Sequence, residues 1–263
     1  DLTGKTPLTI VGGTQGGQDF WPIIRQRTFT EEQRNRLLGP GNNTDQPLFY
    51  CEQLTLHFEK IHLCVGGFGR EKLSSIVRCD GGKISFDQCT ITATTDDADR
   101  YSAGAELPLV QLTGAATNHL DLHFSSTLLR GGRLNSMVRI QSDASVAIKG
   151  QHLLWAGGPG PVIQVGFGTS QARLDLQDST IYNFDSLVEI PSERLLQNQA
   201  DRAFELQLDH SILMARDRGF SSFVAINNAR NESFEIDRWR SLINLSVEQS
   251  VVANVDNWLH HRN

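Results

Sequence analysis

Apolar and variable residues alternate along this chain in short triplets that return in a fixed order. The first triplet appears as "FYC" at Phe49, "VRC" at Val77, "VQL" at Val110, "VRI" at Val138, "IQV" at Ile163, "VEI" at Val188 and "VAI" at Val224. A second follows each: Leu56-His-Phe58, Ile84-Ser-Phe86, Leu122-His-Phe124, Val146-Ala-Ile148, Leu174-Asp-Leu176, Leu206-Gln-Leu208 and Phe234-Glu-Ile236. A third apolar anchor comes shortly after most of these, at Leu63, Ile91, Leu129, Leu153, Ile181 and Leu213. Small or polar residues often stand two before it, as Cys89, Thr127, Ser179 and Ser211 do. Period-two alternation predicts strands with the outer members of each triplet on one face and the middle residue on the other.

Such strands are too short to bury an apolar face alone, and the uneven spacing between units places insertions in turns. Stacking the units at a strand spacing of about 4.8 Å would align Phe49, Val77, Val110, Val138, Ile163, Val188 and Val224 in one interior row, and Leu56 through Phe234 in another. Each buried aliphatic or Phe side chain contributes about 1.5–3 kcal/mol, which offsets much of the chain entropy of a unit. Helices are a poor alternative, because β-branched triplets bounded by Gly, Asn, Ser and Asp lack the three-and-four spacing of a helical stripe. Two local exceptions are predicted. Thr30 as N-cap, Gln33 three residues on and Gly39-Pro40 as a stop mark a short helix over 31–38, and Pro191 to Phe204 carries a helical turn.

Composition narrows the function classes. With 263 residues, 39% hydrophobic and 21% charged, the chain is in the globular range. A net charge of -6 with scattered basic residues argues against a nucleic-acid surface, which needs a concentrated basic face. No apolar run reaches the roughly 18–20 residues of a membrane helix, so no membrane insertion is expected in this segment. The chain opens at Asp1 with neither methionine nor leader pattern and is read as a segment of a larger product, extracytoplasmic or multidomain. Cys51, Cys64, Cys79 and Cys89 lack paired CxxC spacing and sit on apolar-patterned segments, which predicts buried free thiols rather than a metal site or disulfide frame. The sequons at Asn42, Asn231 and Asn244 are no more than chance supplies.

Three short strands per turn, stacked in parallel with tolerant turns, resemble the right-handed parallel β-helix of pectate lyases and polygalacturonases. The resemblance implies an all-β solenoid of about seven to eight coils, with an N-terminal coil and short helix over 1–46 and one continuous β-helix over 47–263. "PLTIVGG…WPIIRQ" and "LTLHFEKIHL" are similar to bacterial β-helix modules, some of which follow Ser/Thr protein kinase domains. The chain itself has no GxGxxG, VAIK, HRD or DFG element, so no kinase activity is expected here.

Enzymes of this fold work on an outward strand face, so the middle residues of the first triplets are the natural site: Tyr50, Arg78, Gln111, Arg139, Gln164, Glu189 and Ala225. Calcium-dependent lyases cluster Asp and Glu there, since a hard cation needs several oxygen ligands, and one glutamate cannot supply them. The candidate ligand-binding residues are Arg78, Gln111, Arg139, Gln164 and Glu189. Arg78 and Arg139, about 10 Å apart at two rung spacings, would hold an anionic sugar; the plainer expectation is a flat, solvated polar face. "NTD" at Asn43–Asp45 and the pair Asp96 and Asp97 echo polygalacturonase motifs, in which one acid protonates the leaving oxygen and others activate water. Their separation in the chain and the missing Gly-His-Gly and Arg-Ile-Lys elements argue against hydrolysis. The second outward row, His57, Ser85, His123, Ala147, Asp175, Gln207 and Glu235, sets a serine between two histidines, a nucleophile–base pattern with no adjacent acid to orient either ring. The expectation is a non-catalytic module without cofactor or metal, acting as a scaffold or interaction surface for a protein or polysaccharide partner; the alternative is a carbohydrate-active or carbohydrate-binding protein acting on acidic polysaccharide.

Overall fold

The computed structural model describes residues 8–15, 18–20, 23–25, 47–52, 54–65, 74–93, 107–113, 118–132, 134–141, 144–158, 160–165, 171–191, 204–216, 221–227 and 243–262. These form three eight-stranded parallel sheets, each taking one strand from every successive coil, so the chain is an all-β parallel β-helix. Sheet 1 contains Phe49–Cys51, Val77–Cys79, Leu107–Leu112, Leu134–Ile140, Pro161–Val165, Ser186–Pro191, Ser222–Asn227 and Asn257–Arg262. Sheet 2 contains Leu8–Val11, Leu54–Glu59, Gly82–Asp87, His119–Ser125, Ser145–Gln151, Ala172–Gln177, Phe204–Asp209 and Ile243–Glu248. Sheet 3 contains Ile23–Arg25, His62–Val65, Thr90–Ala93, Leu128–Arg130, Leu154–Ala156, Thr180–Phe184, Ile212–Ala215 and Val251–Ala253. An antiparallel hairpin, Gly13–Gln15 with Gln18–Phe20, interrupts the first coil. The helix expected over 31–38 and most of the turn expected between Pro191 and Phe204 lie outside the described residues.

The first-triplet row is in register throughout: Phe49, Val77, Val110, Val138, Ile163, Val188 and Val224 pair in succession. Val77 through Val224 are at most 3% exposed. The second row departs from expectation at its fourth and last members. Leu122 pairs with Ile148 and Phe124 with Gly150, so Ala147 leaves the His123 row and Lys149 takes its place. The following anchor is accordingly Trp155 rather than Leu153. The slip has a steric cause. Stacked rings of Phe58, Phe86 and Phe124 (4.9 and 5.5 Å between centroids) lead to Gly150, where a Cβ would lie 2.8 Å from Leu176 Cδ2 and 3.0 Å from Leu153 Cδ2. Leu153 and Leu176 fill the space a fourth large side chain would need, so the row contains a residue that an apolar pattern passes over. The last sheet 2 strand is Ile243–Glu248, with Leu245 and Val247 opposite Leu206 and Leu208; Phe234-Glu235-Ile236 falls outside the described residues.

The corner between sheets 2 and 3 explains the small or polar residues two before Ile91, Leu129, Ile181 and Leu213. One residue per coil adopts a left-handed backbone: Lys60, Gln88, Ser126, His152, Asp178, His210 and Gln249, all with φ of 45–53°. The chain turns sharply there, and the next side chain closes the corner. Thr127 Oγ1 donates to the carbonyls of Phe86 (3.0 Å) or Ser125 (2.9 Å), while Ser179 Oγ reaches Gly150 O and Gln177 O, and Ser211 Oγ reaches Leu176 O and Asp209 O. The Ser179 and Ser211 hydroxyls also accept from a backbone N–H of the previous coil, that of Leu153 and of Ser179 respectively. The buried hydroxyls of Thr127, Ser179 and Ser211 thereby find partners within the protein.

Candidate functional site

The outward row of sheet 1 is assembled in the expected order: Tyr50, Arg78, Gln111, Arg139, Gln164, Glu189 and Ala225 occupy successive rungs. Side chains along it are linked to one another. Arg139 Nε donates to Gln164 Oε1 at 2.5 Å, Gln164 Nε2 donates to Glu189 Oε1 at 3.0 Å, and Gln111 Nε2 donates to Gln141 Oε1. Tyr50 donates its hydroxyl proton to Glu52 at 3.0 Å, a bond that holds the phenol above its usual range. The row is not the freely solvated strip expected: Gln111 is 6% and Glu189 5% exposed, while Arg78, Arg139 and Gln164 are half-buried.

Burial on this sheet extends to residues the triplet pattern left out. The residue before each first-row anchor, Ile76, Leu109, Met137, Val162, Leu187 and Phe223, is apolar and at most 2% exposed. Its signal in the sequence is the doubled apolar step of "SIV", "PLV", "SMV", "PVI", "SLV" and "SFV". Two polar atoms in the row are buried without a hydrogen-bond partner among the described residues, Arg78 Nε and Gln111 Oε1.

The chemistry open to this row is narrow. Its one carboxylate, Glu189, is buried and accepts from Gln164, so no acid pair for glycoside hydrolysis assembles on it. Among the described residues no three His, Cys, Asp or Glu side chains gather to hold a metal ion. Asn43–Asp45, Asp96 and Asp97 lie outside the described residues.

On the outer face of sheet 2, the structure brings an acid near His57, one of the two histidines expected to have none, though at a distance too long for a hydrogen bond to orient the ring. His57 Nδ1 is 2.7 Å from Ser85 Oγ on the next rung, and its Nε2 is 3.8 Å from Glu59, two residues along the same strand face. His119 repeats the arrangement with Ser145 at 2.7 Å and Asp121 at 3.3 Å. Strand geometry produces both, since i, i+2 neighbours and rung neighbours meet on one face. Among the described residues neither dyad has backbone oxyanion donors, because the N–H groups around it serve the ladders that join Leu54–Glu59, Gly82–Asp87, His119–Ser125 and Ser145–Gln151. His123, two rungs from His57, is held below the usual histidine range by partial burial and by Lys83 and Lys149 beside it.

The cysteines behave as small core residues. Cys51 and Cys79 face each other on adjacent rungs, 1% and 0% exposed, and both are free thiols. Cys64 is also free but only half-buried, a correction to the expectation of four buried thiols. Burial pushes the Cys51 and Cys89 thiols up to about 11 and raises that of Cys79 as well. Native protein at pH 8 is therefore expected to react with a thiol reagent at Cys64 alone, the other three labelling only on unfolding. Thiols raised in the folded state stay protonated while unfolded ones ionise, so stability is expected to fall as pH rises from about 9 towards about 11. Rapid native labelling of Cys51 or Cys79, or an intact-mass loss of two hydrogens, would contradict this.

Comparison with protein-family models, curated proteins and solved structures finds no match to the chain. Among the described residues, no helix is long and apolar enough to cross a membrane.

Proposed function

We propose that this β-helix is a non-catalytic module, a rigid scaffold or interaction surface within a larger bacterial protein. Kinship with the pectate-lyase-like superfold, and with modules that follow Ser/Thr kinase domains, belongs to the same proposal and rests on the sequence motifs. The observation that carries it is the linked row Arg139–Gln164–Glu189, whose side chains are engaged with one another and partly buried. Such a network stiffens a sheet face and leaves no free carboxylate for acid–base work. One observation favours carbohydrate binding as the second reading: Arg78 and Arg139 stand two rungs apart on the same outward row and are only half-buried, and two guanidiniums so placed suit the carboxylates of an acidic polymer.

Titration at low salt with oligogalacturonate, alginate oligomers and a neutral glucan separates the readings. The scaffold reading expects neither binding at millimolar ligand nor cleavage. Binding of the acidic oligomers that is lost in Arg78→Ala/Arg139→Ala and weakened by salt would establish the second reading instead. Cleavage of any polymer would overturn the scaffold reading and point to a carbohydrate-active protein instead.

A further inference from the structure

The outer face of sheet 3 differs in kind from those of sheets 1 and 2. Its strands from His62–Val65 to Val251–Ala253 contain no Asp, Glu or Lys, and Arg130 is their one residue of fixed charge. On sheet 2 the outward positions hold Lys83, Asp121, Lys149, Arg173, Asp175 and Glu205. Apolar side chains take their place on sheet 3: Leu154 is 43%, Tyr182 47% and Ile212 40% exposed on three successive coils. Period-two alternation turns them outward while Trp155, Ile181 and Leu213 fill the core. Each of these coils has a neighbour on both sides, so the exposure belongs to the face and not to an end of the solenoid. An apolar patch kept in water across consecutive coils marks a contact surface.

We propose that this face binds the same face of a second copy of the chain, as a weak two-fold dimer. Charge singles out the partner. Copies with a net charge of -6 repel one another, and on sheet 3 they meet without bringing carboxylates together, whereas a partner of opposite charge would find only Arg130 there. Shape agrees. A two-fold axis along the strands, between the rung of Leu154 and that of Thr180, sets the two solenoids antiparallel and lays rung on rung. Tyr182 then covers Ala156 of the other copy, Leu154 covers Thr180, and Ile212 meets Leu128. The two largest residues at the centre fall on the two smallest, which lets facing sheets approach to about 10 Å. About six rungs overlap, at about 4.8 Å per rung and roughly 10–13 Å along each strand, or on the order of 400 Å² per copy. A standard interface takes about 800 Å² per partner, so this dimer is transient and forms only at high micromolar concentration. The face is separate from the linked row on sheet 1, and self-association there stands or falls apart from the scaffold role proposed above.

Sedimentation equilibrium of the intact chain, from micromolar to millimolar concentration, tests the dimer. The wild type is expected to rise from monomer mass towards dimer mass and no further. Leu154→Lys/Ile212→Lys, at two exposed positions, is expected to stay monomeric over the same range with an unchanged circular dichroism spectrum. A wild type that stays monomeric overturns the proposal; if it also binds a neutral glucan and Tyr182→Ala abolishes that binding, the face belongs to a sugar instead. A mass that climbs past dimer, or a variant that associates as the wild type does, overturns it too. Orientation is read by cross-linking in a Cys64→Ser background, which removes the half-buried native thiol of this face. Under copper–phenanthroline oxidation, a mixture of Leu154→Cys and Thr180→Cys chains is expected to form mixed disulfide dimers. Pairing of Leu154→Cys with Ala156→Cys in their place would show parallel solenoids and overturn the antiparallel arrangement.

Discussion

Replacing Val138 with aspartate is expected to abolish soluble folding. Val138 is 0% exposed and lies between Val110 and Ile163 in the interior row. A carboxylate there has apolar neighbours above and below and, among the described residues, no buried cation to pair with. The cost is more than about 4 kcal/mol, comparable with the whole stability of many domains. Its neighbour is the control. Arg139 points to the opposite face, and Arg139→Ala removes the bond to Gln164, a loss of about 1–2 kcal/mol. Expression in the soluble fraction and a thermal melt of each variant check the pair; reversed sensitivities would mean that the interior face had been assigned one residue out of register.

Gly131→Ala is expected to have the second largest effect, for a reason of backbone rather than core. Gly131 closes the turn from sheet 3 to sheet 1 with φ of 123°. A Cβ would stand 1.8 Å from the carbonyl oxygen of Ala93 and 2.6 Å from its carbon. No rotamer relieves a clash with the main chain of the previous coil. The turn would have to part from Ala93, endangering the bonds from Gly131 N–H to Ala156 O and from Leu134 N–H to Gly131 O. A loss of about 3 kcal/mol or more follows, roughly 6–12 °C in melting temperature. Gly132→Ala, whose Cβ meets nothing within 4 Å, is expected to melt within about 2 °C of the wild type. Equal effects at the two glycines would refute the argument from close approach.

The legible part of the fold was its interior. Period-two alternation in β-branched triplets admits one burial pattern, and a register slip of one residue would turn every anchor outward, so the row from Phe49 to Val224 followed from the residues alone. Gly150 marks where that reading ended. Its place in the row is held by the side chains of Leu153 and Leu176, a three-dimensional exchange that a one-dimensional pattern records as a gap. The outward row of sheet 1 was legible in membership but not in state. Whether Gln111 and Glu189 are solvated depends on what lies over the sheet, and their neighbours in sequence say nothing of it. The Glu59 carboxylate beside His57 was visible in principle, as the i+2 residue of the same strand. Comparing histidines only across rungs concealed it.

The left-handed corner separates shape from chemistry. Lys60, Gln88, Ser126, His152, Asp178, His210 and Gln249 share one backbone conformation though they have little chemically in common. A non-glycine residue gives up about 1–2 kcal/mol in this region, and none of the seven is glycine, whose looser unfolded chain would return part of the gain. The bend is held by the backbone and by the hydroxyl that follows, as at Thr127, Ser179 and Ser211. What the corner residue carries beyond its Cβ is therefore free to vary. The edge of the helix becomes a ruled line of positions, one per coil at intervals of about 4.8 Å, on which charge, tag or probe can be rewritten while the coil beneath keeps its form.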